Sequence, residues 1–151
     1  MGRKDRQMDD IVQRLKTPEE CERLAQNVQD IDPTMALQAR RRAVELRAAA
    51  HGAKTIAEQE ALRAVYAYER ALSAKRGRAT RASRTWQMIK RHGIIPAVER
   101  AVNRNEETSG YKVLTEMGMQ DFAFEAVITR HPELFSPEAL ARAKVRIQDA
   151  G

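Results

Sequence analysis

Apolar residues recur along this chain every three or four positions, the spacing that places them on one face of a helix. Met8, Ile11, Val12 and Leu15 form the first such stripe. Thr17-Pro18-Glu19-Glu20 then opens a second helix. Its threonine can cap, its proline loses no useful N–H in a first turn, and its acids complement the helix dipole. That helix turns Cys21, Leu24, Ala25 and Val28 inward. Asp32-Pro33 repeats the start signal for a third helix running to His51-Gly52, so the two Pro-initiated helices form a helical hairpin. Thr55 opens the longest helix, which runs to about Arg76 with Gly77 as its stop and Ala61, Leu62, Val65, Tyr68 and Leu72 facing inward. Shorter helices follow at about 81–92, 96–104, 110–117, 119–130 and 137–149, punctuated by Gly93, Gly118 and His131-Pro132. Ser136-Pro137-Glu138 opens the last of them.

No stretch alternates apolar and polar residues over a strand length, so the pattern predicts an all-α fold. The expected architecture is a compact bundle of about seven to eight short helices that includes a helix-turn-helix-like pair. Residues 1–16 are expected to form an N-terminal helix that packs loosely, and 17–151 a single helical domain. At 151 residues, 42% of them hydrophobic, the chain can bury one core. No apolar run approaches the roughly 20 residues that cross a bilayer. The charged opening residues have no apolar stretch behind them, and Arg6 breaks the myristoylation pattern, so a cytoplasmic location away from membranes is expected. A single Cys excludes a disulfide framework and a Cys-rich zinc site.

Charge changes this picture. Residues 1–74 are nearly balanced, with 13 Lys/Arg against 12 Asp/Glu, and residues 105–151 are acidic, with five against eight. Residues 75–104 carry nine Lys/Arg and one acid, Glu99, which is more than the whole net charge of +6. Lys75 to Arg91 alone holds seven bases and no acid. So much like charge repels itself, and a polyanion would relieve that repulsion. A second basic group, Arg40-Arg41-Arg42 with Arg47, spreads around its helix beside Glu45 and reads mostly as solvated surface.

Reactive groups do not converge in the same way. His51 and His92 each precede a glycine at a helix end, and His131 precedes Pro132; an imidazole there meets free carbonyls and the dipole. Cys21 reads as a small core residue, and Tyr66 and Tyr68, with Glu69 and Arg70 beside them on the inward half of a long helix, as packing. The pairs Asp9-Asp10, Glu19-Glu20 and Glu106-Glu107 fall near helix starts, which explains them without catalysis. The glycines stand singly, so there is no phosphate-cradling loop. The expectation is a protein with no catalytic residues, no metal and no cofactor.

Within the basic window, 100° per residue puts Ala82, Thr85, Trp86 and Ile89 on one face of its first helix. Arg84, Gln87 and Arg91 fall opposite, with Met88 beside them. In the next helix Val98, Ala101 and Val102 point one way, and Arg100, Asn103 and Arg104 lie on the other side and its edge. Arg and Asn pair with guanine and adenine edges in the major groove, so Arg84, Gln87, Arg100 and Asn103 are the expected readers. Lys75, Arg76, Arg78, Arg81, Lys90 and Arg91 suit phosphates. Thr80 and Ser83 are expected to cap the helix start and leave backbone N–H groups for a phosphate.

The two helices joined by Gly93-Ile94-Ile95 resemble a helix-turn-helix. With Gly93 as the turn glycine, Met88, Ile94 and Val102 occupy positions that are apolar in that family. Ile89 stands where it carries a small residue, and His92 and Glu99 where it carries apolar ones. Over about a dozen residues, Ser83-Arg84 and Lys90-Arg91-His92-Gly93-Ile94 are also similar to the recognition helix of the Fis-type DNA-binding domain. The segment is about two residues shorter and lacks that family's tight turn before the serine. The first resemblance implies that the helix near 96–104 reads DNA, and the second that the helix near 83–92 does. Phosphate contact by the basic window is common to both.

A non-catalytic DNA-binding module follows as the leading expectation, regulatory or accessory to DNA processing. DNA is preferred to RNA because seven aromatics, with Trp86 turned inward, leave few stacking platforms. The alternative is a protein-interaction module whose basic face docks on an acidic partner.

Overall fold

The computed structural model describes residues 10–104 and 110–150, which are all-helical with no strand. A short helix, α1, covers 10–14. It is followed by α2 (Pro18–Val28), α3 (Pro33–His51), α4 (Ile56–Arg76), α5 (Ser83–His92), α6 (Ile94–Asn103) and α7 (Gly110–Glu116). A 3₁₀ turn at Gln120–Phe122 leads to α8 (Phe124–Arg130), and a second at Pro132–Leu134 to α9 (Pro137–Ala150). Contacts divide the chain into two compact units, Met1–His51 and Gly52–Gly151. No helix among the described residues is long and apolar enough to cross a membrane.

In the first unit α2 and α3 pack against each other as a hairpin. The start signals act as expected. Thr17 accepts from the Glu20 N–H at 3.1 Å, and Glu20 reaches back to the Lys16 N–H. Asp32 accepts from the Met35 N–H at 3.1 Å. Each such cap stabilises its helix by about 1 kcal/mol. Ala25, Ala36 and Ala39 make a small-residue core against Leu24 and Val28, and Cys21 is fully buried, with its thiol pushed up by that burial. Val12 of the first stripe is buried; Met8 lies outside the described residues, as do Asp9, Glu106 and Glu107.

The second unit is organised on α4. Thr55 caps its start by accepting from the Glu58 N–H at 3.1 Å, and Gly77 ends it in the left-handed conformation. Ala61, Ala64 and Val65 form a core with Val98 and Val102 of α6, Phe124 and Ile128 of α8, and Ala139 and Ala143 of α9. Burying a large apolar side chain of this kind stabilises by about 1.5–3 kcal/mol.

Three expected boundaries shift, each for a physical reason. The helix expected at about 119–130 is broken at Ala123, whose backbone is extended. In one continuous helix Phe122 and Phe124 would point about 200° apart. The break turns both inward, to 1% and 5% exposure. The helix expected from 96 begins at Ile94, because Pro96 falls in its first turn, where no N–H is needed. Gly93 alone therefore separates α5 from α6, in place of the three-residue turn. Its φ of 94° and ψ of 168° are open essentially to glycine only. Finally, α5 starts at Ser83 and not at 81.

Candidate nucleic-acid interface

The start of α5 is set by a residue that the basic window does not contain. Glu69 of α4 accepts from the Ala82 N–H at 2.9 Å and from the Trp86 indole N–H at 2.6 Å, and lies 3.7 Å from the Arg81 guanidinium. This corrects the expected capping: neither Thr80 nor Ser83 bonds the helix start. Thr80 donates to the Arg78 carbonyl and its N–H bonds the Ser73 hydroxyl. A carboxylate thus occupies the place where a phosphate was expected. Trp86 also meets Tyr66 edge-to-face at 5.3 Å, and with Ile89 it packs on the core.

With that face docked, the wheel positions hold. Arg84, Gln87, Lys90 and Arg91 are exposed on α5, and Arg100 on α6. The single-residue break at Gly93 sets the two helices against each other, with adjoining cavities along them. One, of about 650 Å³, is lined by Met88, Arg91, His92, Pro96, Glu99, Arg100, Asn103 and Arg104. The other, of about 380 Å³, is lined by Arg84, Gln87, Met88, Arg91, His92 and Arg104. They share Met88, Arg91, His92 and Arg104 and make one groove. Six of the eleven residues singled out from the sequence therefore come together: Arg84, Gln87, Arg91, Arg100, Asn103 and Arg104. The two helices that competed as readers border the same groove.

The remaining five stand elsewhere. Lys75 and Arg76 are exposed at the end of α4 and Arg78 in the loop beyond it. Arg81 is exposed beside Glu69, 5.8 Å from the Trp86 ring centre. Lys90 is exposed but lines neither cavity.

The groove has little carboxylate among the described residues to balance its cations. Among the described residues Arg84, Arg91 and Arg100 make no ion pair, and Arg104 donates to the Met88 sulfur at 3.3 Å. Glu99, the only carboxylate lining it among the described residues, accepts from the Ser136 N–H at 2.6 Å and so ties α6 to the start of α9. Asn103 is half-buried with its Oδ1 enclosed and unpartnered, and its carbonyl accepts from Arg142. Slight desolvation, then the charges of Arg100 and Arg91, pull His92 below its usual pKa.

Several other ionisable groups of the second unit are paired with one another. His131 bonds Glu60 at 3.1 Å, and Arg130 bonds the same carboxylate at 2.6 Å. Glu125 is buried and paired with Arg146 at 3.0 Å, while Arg146 also donates to the Val102 carbonyl. Burial, then the Glu125 charge, keeps the Tyr68 phenol protonated well above its usual range. Its oxygen accepts from the Phe124 N–H, and its ring packs edge-to-face on that of Phe124. No group of three or more His, Cys, Asp or Glu among the described residues is arranged to hold a metal ion.

Sequence reasoning missed Glu69 as the cap of α5, because the Ala82 N–H it bonds lies thirteen residues further along the chain. It also missed His92 and Pro96 as groove-lining residues, though it placed Met88 beside the arginines that line it. The first was hidden by distance along the chain, the others by the angle between α5 and α6.

Fold and groove together define a small all-helical protein with a guanidinium-lined groove between two short helices. Compared with protein-family models, with curated proteins and with solved structures, the chain has no match.

Proposed function

We propose that the protein is a non-catalytic DNA-binding module that takes the phosphate backbone of a duplex along the α5–α6 groove. The observation that carries this reading is the set of Arg84, Arg91, Arg100 and Arg104 around one groove, where the single carboxylate among the described residues bonds the Ser136 N–H. Phosphates supply the missing counter-charge, and guanidiniums bind them in forked geometry. Gln87, exposed and lining the groove with Arg84, is the better placed base reader; Asn103 has its amide oxygen enclosed. Lys75, Arg76 and Arg78 extend the electrostatic footprint.

Fluorescence anisotropy with duplex DNA across a salt series tests this. Six or so phosphate contacts give a log–log slope of about −5, and Arg84→Ala/Arg91→Ala should reduce it by about two while weakening binding. Arg40→Ala/Arg47→Ala in the first unit should leave both unchanged. Absence of salt-steep binding refutes the proposal and turns the search to an acidic protein partner for the same groove. Preference for single-stranded RNA over duplex DNA refutes the choice of nucleic acid.

A further inference from the structure

Histidine is the side chain whose ordinary pKa lies near neutrality, and the groove contains one. His92 is the last residue of α5 and lines both cavities. Among the described residues, the charged groups sharing those cavities are Arg84 and Arg91 from α5, and Glu99, Arg100 and Arg104 from α6 and its end. Four are cations, and the one carboxylate accepts from the Ser136 N–H. An imidazolium is therefore disfavoured in the free groove. The charges that act on it are those of Arg100 and Arg91, which are also the groups a phosphate would neutralise.

We propose that His92 is a phosphate-contacting residue of the groove and takes up a proton as DNA binds. The inference rests on the DNA-binding reading and adds to it a residue, a contact and a dependence on pH. A phosphate oxygen between Arg91 and Arg100 reverses the local field and gives the ring N–H an anionic acceptor; both effects favour the charged imidazole. The sign follows from linkage. His92 titrates higher in the complex than in the free protein. Well above both values the ring is neutral in both states and affinity is flat. As pH falls through the bound value affinity rises, and below the free value it levels off. Each unit by which binding raises the pKa is tenfold in affinity.

The test is duplex binding at fixed ionic strength from pH 8 to pH 5.5, with His92→Gln and His131→Gln alongside wild type. Wild type should bind about threefold to tenfold more tightly at pH 5.5 than at pH 8. His131→Gln should keep that ratio, since its ring is held by Glu60, while His92→Gln should bring it close to one. The His92 ring resonances should titrate at higher pH in the complex than in the free protein. A flat wild-type profile, an unchanged ratio in His92→Gln, or an unmoved ring titration overturns the proposal. No binding at any pH would instead refute the DNA-binding reading on which it rests.

Discussion

In the α2–α3 hairpin, Arg40 donates to the Gln29 side chain, Arg42 to the Leu15 carbonyl, and Arg47 lies 3.6 Å from Glu22. Along α5 and α6, Arg84, Arg91 and Arg100 meet no carboxylate among the described residues. Both regions are helix pairs with arginine on adjacent turns. They differ in what the facing element offers. Across from α3 lie Gln29 and Glu22; across from α5 lies α6, whose only acid bonds the Ser136 N–H. Whether an arginine is available to a partner depends on acceptors within reach, and local charge density alone does not report that.

The sharpest way to probe this contrast is to remove a committed arginine. Arg146→Ala leaves Glu125, whose side chain is 4% exposed, without its ion-pair partner. The expected loss is about 3–5 kcal/mol in urea unfolding, far above that of any groove arginine. A loss below about 1 kcal/mol would erase the distinction between committed and available arginines.

A smaller effect is expected where the groove is shaped. Gly93→Ala forces a side chain onto a backbone at φ 94° and ψ 168°, with Pro96 3.7 Å from the new Cβ. Strain of about 1–3 kcal/mol should appear as a lowered thermal midpoint, together with weaker DNA binding as the helices reorient. Intact binding in a destabilised variant would show that the inter-helix angle is not what assembles the groove.

The smallest effect concerns acid. Burial on its own raises the Glu60 carboxyl, but hydrogen bonds from Arg130 and His131, and their charges, outweigh it and hold the group below its usual value. A carboxylate with a lower pKa folded than unfolded adds stability above the unfolded value and loses it as pH falls through the folded one. The stability difference between wild type and Glu60→Gln should be full at pH 7 and shrink below about pH 4.3. A difference independent of pH would assign Glu60 a packing role alone.

Much of the fold was legible because its signals are local. Thr17, Asp32, Thr55 and Gly77 mark their helix ends by bonds that span three or four residues. The break at Ala123 was not legible, since it answers a tertiary demand that Phe122 and Phe124 share one core. In the site, helical periodicity alone put Arg84, Gln87 and Arg91 on one face. That the Arg100 face meets it was hidden in two backbone angles at Gly93. The carboxylate at the head of α5 was equally out of sight, because Glu69 reads from sequence as one more charge on a long helix.

That carboxylate also gives the molecule an optical handle. The chain has one tryptophan, and its indole N–H is bonded to Glu69 while its ring packs against Tyr66 and the core under α5. Emission excited at the indole band therefore comes from a single position, at the root of the helix that carries Arg84 and Arg91. A red shift would mark α5 lifting from α4, and an unshifted spectrum a helix that stays seated, with no label attached to the protein.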